Sequence, residues 1–207
     1  MDAVIEGEGS QAAGPASLPD GLERKTLSAG LEKTLQRGGL GNPDVVLVRT
    51  SEGFVVVKDF APRPFWVRET LGRWLTRHEQ KVYRALAGID LVPRLLGAID
   101  GYAFVMEYRP GRLLSRSLKQ ELPADFLTEL ERGVAEMHHR GVVHLDLSHR
   151  SNVLLGEDGR PVLLDFASAI RFGSGSALGR ALTRGLARVD LRALRKWRTK
   201  LGSGSSA

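Results

Sequence analysis

Between Val142 and Phe166, three short apolar runs are punctuated by polar residues at fixed places. Val142-Val143 leads into His144, Asp146 and Asn152; Val153-Leu154-Leu155 follows; then a Gly156-Glu157-Asp158-Gly159 turn and Val162-Leu163-Leu164 deliver Asp165. Short apolar runs bounded by turn residues read as buried strands. The stretch therefore predicts a small hairpin, preceded by a polar loop and left through an acid. That arrangement constrains the fold more than the composition does.

The text before it changes period twice. From about Leu31 to Asp59 it is β-like, with one strand over Asp44–Arg49, a turn at Ser51-Glu52-Gly53 and a second strand over Phe54–Asp59. Residues 68 to 88 switch to helical spacing, with Leu71, Leu75, Val82 and Leu86 on one face. Leu95–Ile99 and Tyr102–Tyr108 are two more strands joined by Asp100-Gly101, a hairpin signal. Pro123 opens a helix with the apolar stripe Phe126, Leu127, Leu130, Val134 and Met137, ended by Gly141. The predicted class is α+β: an antiparallel sheet with one inserted helix, then a reduced, mostly helical part that carries the hairpin. Residues 1–22 read as a disordered lead-in and 202–207 as a flexible tail, leaving a domain over 23–201 that divides near residue 108.

Composition closes off several chemistries. The chain has 207 residues and no Cys, which excludes disulfides, thiolate metal sites and a cysteine nucleophile. Its longest aliphatic runs, Val45–Val48 and Phe54–Val57, are too short to span a bilayer, and no signal peptide is expected. A cytoplasmic protein is the expectation. The net charge of +6 is carried by the tail, where nine Lys or Arg from Arg171 onward face one acid, Asp190. Arg180, Arg184, Arg188 and Arg192 recur every four residues, and Leu182, Leu186, Val189, Leu194 and Trp197 lie at helical spacing on another face. An amphipathic helix over about 178–201 follows. It either packs on the body with a solvated basic face or meets an anionic partner: lipid headgroups (hence a membrane-peripheral location), RNA or a polyanionic substrate. No DNA-binding motif or other nucleic-acid module is present.

Several positions can carry chemistry. Asp146 offers a carboxylate that can accept or orient a hydroxyl, Asn152 an amide oxygen for a metal, and Asp165, at a strand end, a metal-binding carboxylate. Lys58 ends the apolar run Phe54–Val57, and its ammonium can reach phosphates while Glu79 on the following helix holds it. Each also has a plain reading: a polar turn for the loop, a snorkelling edge lysine for Lys58, a solvated helix residue for Glu79. Gly38-Gly39-Leu40-Gly41 is either a β turn or a turn whose amides approach phosphate oxygens.

Taken in order, the Gly-rich turn, Val-Val-Val-Lys58, Glu79, Phe104-Val-Met-Glu-Tyr108, His144-x-Asp146, Asn152 and Asp165-Phe-Ala167 resemble the protein-kinase superfamily over about residues 31–170. The likeness is to minimal atypical bacterial kinases of the RIO and lipopolysaccharide-kinase types. It implies a two-lobed fold that uses ATP and Mg2+. Lys58 would lie on the phosphates with Glu79 as partner, and Gly39 and Gly41 would sit in the phosphate-covering turn. Glu107 and Tyr108 would face the adenine, Asp146 would be the catalytic acid/base, and Asn152 and Asp165 the magnesium ligands. The implied activity is transfer of the ATP γ-phosphoryl group to a Ser/Thr protein hydroxyl, with a lipopolysaccharide or sugar hydroxyl kinase and a nucleotide-binding pseudokinase scaffold as alternatives. Three departures stand out. Asp146 and Asn152 are six residues apart instead of the family's five, Ala167 replaces the last glycine of D-F-G, and no A-P-E segment follows.

Overall fold

The computed structural model describes residues 17–202 except Ser174. The expected lead-in up to residue 16 and the tail from 203 lie outside the described residues. A five-stranded antiparallel sheet is built from β1 (Leu31–Gln36), β2 (Asp44–Thr50), β3 (Gly53–Asp59), β4 (Leu95–Ala98) and β5 (Ala103–Glu107) in the order β1-β2-β3-β5-β4. The side-chain period of two sorts the β3 run into two faces. Val55 and Val57 enter one apolar cluster with Val48, Ala103 and Val105, while Val56 belongs to a larger one with Leu47, Phe104 and Met106. Lys58 shares the parity of Val56, so the run that reads as a uniform apolar string carries its lysine onto the inner face.

The outer face is covered by the segment before β1, where Leu22 is buried and Leu18 and Leu27 pack beside it. Ordered packing thus begins before residue 23, the expected start of the domain. Arg24 fastens this cover, donating to Asp100 at 2.8 and 3.0 Å and pairing with Asp59. At the β4–β5 turn, Asp100 Oδ1 accepts from the N–H groups of Tyr102 and Ala103, the local reason that Asp-Gly closes a hairpin here.

Helix α1 (Arg73–Ala85) lies between β3 and β4 in the chain and is entered through a π-helical turn, Arg68–Gly72. Its inward face is more polar than the apolar spacing suggests. Val82 and Tyr83 are buried, but so are Thr76, Glu79 and Gln80, while the expected core residue Leu71 is 40% exposed. The extra residue of the π turn shifts the phase of everything before it.

Beyond the sheet come β6 (Gly111–Leu113), helix α2 (Phe126–His139), β7 (Val142–Val143), β8 (Val153–Gly156), β9 (Pro161–Leu163), β10 (Ile170–Arg171) and helix α3 (Ala177–Gly202). Strands β6, β8 and β9 form a three-stranded antiparallel sheet, and β7 pairs with β10. Phe126, Leu130, Val134 and Met137 of α2 are buried as their spacing predicts, and Gly141 ends the helix with φ at +77°. The inward face of α3 differs from the one predicted. Thr183, Ala187, Asp190, Leu194, Trp197 and Leu201 are buried, whereas Leu182 and Val189 are 44% and 40% exposed. Small residues let the first half of the helix approach the body closely, and a buried acid takes a place that hydrophobicity alone assigns to leucine. No helix among the described residues is long and apolar enough to cross a membrane.

Candidate functional site

Three sequence-distant charges meet at the inner face of the sheet. The Lys58 ammonium, 6% exposed, donates to Glu79 Oε1 at 2.6 Å and to Asp165 Oδ1 at 2.9 Å. Burial opposes the charge on Lys58, but the two carboxylates outweigh it and hold its proton more tightly than usual. Burial likewise pushes the Glu79 carboxyl up, against the pull of Lys58 and of the Phe166 N–H. For Asp165 burial is overcome by Lys58, and its carboxyl lies below the ordinary range. The Asp165 side chain remains half exposed, so one carboxylate of the network is open to a ligand.

The neighbouring loop is held from below. Asn152 Nδ2 donates to the Asp146 carbonyl at 2.8 Å and to Asp146 Oδ2 at 2.9 Å. The six-residue spacing is absorbed by a short 3-10 turn, Arg150–Asn152, which leaves Asn152 buried and facing the acid. With its nitrogen turned to Asp146, the Asn152 oxygen accepts from the Ser151 hydroxyl at 3.2 Å. Backbone ties join the loop to Asp165: Leu164 N–H donates to Asn152 O at 2.9 Å, and the His144 ring donates to Leu164 O at the same distance. Burial keeps that ring below its ordinary pKa.

Two residues of α3 complete the support: Asp190, which the sequence marks only as the tail's one acid, and Trp197, which it marks only as part of an apolar face. Fully buried Asp190 accepts the N–H groups of His144 at 2.8 Å and Leu145 at 2.9 Å, and His138 Nε2 lies 2.9 Å away. Leu145 has φ at +67° and Asp165 at +59°, left-handed values that cost on the order of 1–3 kcal/mol in a non-glycine residue. Trp197 Nε1 donates to Leu147 O at 2.9 Å. The signal available in the sequence is a lone acid among eight bases on a helix, which a binary apolar/polar reading places in solvent.

An aromatic stack links α1 to the loop. Tyr83 meets Phe166 edge-on at 5.1 Å and His144 lies 4.9 Å from the other side of Phe166. Turning Asp165 away would unpack both contacts. The Tyr83 hydroxyl is buried without a hydrogen-bond partner.

Lys58, Glu79, Asn152 and Asp165 line a cleft of about 810 Å³, within the range of small-molecule sites, and Asp146 stands behind Asn152 rather than in the lining. Val45, Leu47, Val56, Phe60 and Met106 form its apolar wall, and Lys58, Glu79, Asn152 and Asp165 its polar end. Glu107 and Tyr108, which follow Met106 in the chain, also line the cleft. The Glu107 carboxylate is occupied by the Arg94 N–H at 3.0 Å and by Arg109, so what it offers the cleft is backbone. The glycine turn behaves differently from expectation. Gln36, Asn42 and Pro43 face the cleft and Gly39 and Gly41 do not line it; Arg63 holds the Gly38 and Gly39 carbonyls from the other side. The glycine the turn requires is Gly38, where a Cβ would stand 2.2 Å from Asn42 O.

No cluster of three or more His, Cys, Asp or Glu forms a metal cage among the described residues. The donors present, the half-exposed Asp165 carboxylate and the Asn152 amide oxygen in the same cleft, are hard oxygens of the kind that hold magnesium when phosphate oxygens and water complete the shell. A buried ammonium, that donor pair and a carboxylate fixed by an amide can bind a polyphosphate and act on a hydroxyl brought to it. No known protein-family model matches the chain.

Proposed function

We propose that the protein is an ATP-dependent phosphotransferase with a two-lobed, protein-kinase-like architecture. The five-stranded sheet with α1 makes the smaller lobe, α2, α3 and the three-stranded sheet make the larger one, and the cleft separates them. The observation that carries this reading is the nearness of two polar sets: Lys58 with Glu79 and Asp165, which line the cleft, and Asp146, which is hydrogen-bonded to the cleft-lining Asn152. Chance placement of polar residues rarely yields a buried lysine, its helix-borne partner and a strand-end acid next to an amide-fixed carboxylate.

ATP enters along the apolar wall with its base against the Glu107–Tyr108 backbone. Lys58 turns from Asp165 to the α and β phosphates, and Glu79 keeps its aim. Asp165 and Asn152 would hold magnesium, which supplies neutralisation of the charge on the phosphates. Asp146, held by the Asn152 amide, accepts the proton of the acceptor hydroxyl. The acceptor oxygen bonds to the γ phosphorus as the bridging P–O bond breaks, and ADP leaves with the bonding electrons. Positioning and electrostatics supply most of the rate. A Ser or Thr of a protein is the acceptor this reading favours over a sugar hydroxyl.

Steady-state Mg-ATP turnover and autophosphorylation of the native chain and of Asp146→Asn test the proposal. Turnover in the native chain that falls by about a hundredfold or more in the variant is the expected result. Equal, background-level incorporation in both would rule it out.

A further inference from the structure

Four cations from three separate parts of the chain surround the loop that carries Asp146. Arg150 is in the loop's own 3-10 turn, Arg116 lies in the short 3-10 turn Arg116–Leu118, and Lys196 and Lys200 are one turn apart on α3. The Trp197–Leu147 hydrogen bond fixes that end of α3 against the loop, and the Lys200 ammonium sits 5.6 Å from the centre of the Trp197 ring. No carboxylate of the described residues lies within 4 Å of any of the four, whereas Arg198 on the same helix has Glu131 at 2.7 Å. Burial lowers the hold of Lys200 on its proton, and the like charges of Lys196, Arg116 and Arg150 lower it further, so Lys200 feels the other three. Charges gathered without a counter-ion are a stored repulsion that an anionic ligand relieves.

We infer that Arg116, Arg150, Lys196 and Lys200 receive acidic side chains flanking the acceptor hydroxyl, making the preferred substrate a Ser or Thr within an acidic peptide segment. This inference rests on the phosphotransferase reading of the neighbouring Asp146. Charge complementarity assigns the occupant: the cations stand beside the loop that carries Asp146, where carboxylates on either side of a Ser or Thr hydroxyl would reach them. It also moves the anion-binding part of α3 from the Arg180–Arg192 stripe to the last turns of the helix. The chemistry is unchanged by it: carboxylates on either side of the acceptor hold the chain, and the hydroxyl proton still passes to Asp146.

The test uses the full chain and three Ser peptides of equal length with acidic, neutral and basic flanks. Transfer is measured with Mg-ATP, and binding is measured separately by fluorescence anisotropy without nucleotide. We expect KM and Kd for the acidic peptide to be about tenfold or more below those for the neutral one at low salt, with the gap closing as salt rises. The pair Arg150→Glu and Lys200→Glu should erase that preference, and the milder Arg150→Gln with Lys200→Gln should reduce it. The pair Arg184→Glu with Arg188→Glu, the same change of charge about 18 to 24 Å along the helix, should leave it intact. Equal use of acidic and neutral peptides, or a preference that survives the Arg150/Lys200 pair, would overturn the inference. Transfer to an anionic lipid or a sugar phosphate with none to any peptide would overturn the peptide assignment. Tight, pair-sensitive binding of the acidic peptide with no transfer at all would instead sink the phosphotransferase reading.

Discussion

Asp190 holds Leu145 in a left-handed backbone conformation: its carboxylate accepts the Leu145 N–H at 2.9 Å, one residue before Asp146. The same carboxylate takes the His144 N–H, so one buried side chain on α3 dictates the path of the loop. Removing it leaves buried N–H groups without acceptors and a strained residue without its restraint. Asp190→Ala should therefore cost about 3 kcal/mol or more of stability, read from denaturant unfolding. Asp190→Asn keeps one acceptor oxygen and should cost less. In the Asn variant kcat should fall about tenfold or more while KM for ATP moves little, because the loop and not the nucleotide cleft is disturbed.

Glu79 is asked to aim Lys58 rather than to touch the substrate. Glu79→Gln leaves Lys58 paired with Asp165 alone, which favours the ammonium staying away from phosphates. Affinity for Mg-ATP, measured by calorimetry, should drop by about tenfold. Unchanged affinity would mean that the Lys58–Glu79 pair is structural only.

Much of this was legible in the text. The strand runs before Asp59, the Asp100-Gly101 turn and the α2 stripe sit where their periods put them, because each is decided by neighbours three or four residues away. Of the residues that spacing marks, Lys58, Glu79 and Asp165 meet one another, and Asn152 meets Asp146. What escaped was set by partners far along the chain. Asp190 is buried because it meets amides 45 and 46 residues earlier, and no local pattern marks that. Leu182 and Val189 are exposed because the helix docks through Thr183 and Ala187. The glycine turn was located correctly, but the residue it depends on is Gly38, a matter of carbonyl approach that spacing does not reveal.

That last point gives a paired test. A methyl at Gly38 would collide with the Asn42 and Pro43 carbonyls, whereas one at Gly39 meets nothing within 4 Å. Gly38→Ala should destabilise the chain by about 1–3 kcal/mol and weaken ATP binding; Gly39→Ala should stay within about 0.5 kcal/mol of the native protein. Thermal melts of the two variants side by side decide it.

His144 makes stability depend on pH. Burial holds its ring below the ordinary value of 6.5, against the opposing effects of its Leu164 hydrogen bond and of Asp190, Asp165 and Asp146. The unfolded chain therefore takes up this proton first, and stability should fall as pH drops from about 7 toward 5. His144→Phe should be less stable than the native chain at pH 7.5, yet its Tm should decline less across that window. Parallel slopes for the two proteins would remove His144 as a cause.

Single-turnover transfer of labelled γ-phosphate, with ATP affinity measured on the same samples, tests the central claim most directly. The native chain and Asp146→Asn should bind Mg-ATP within about twofold of each other, and the variant should transfer at least about a hundredfold more slowly. Transfer at one common rate in both proteins, or none in either despite tight binding, would contradict the assignment of Asp146 as the residue that accepts the acceptor's proton.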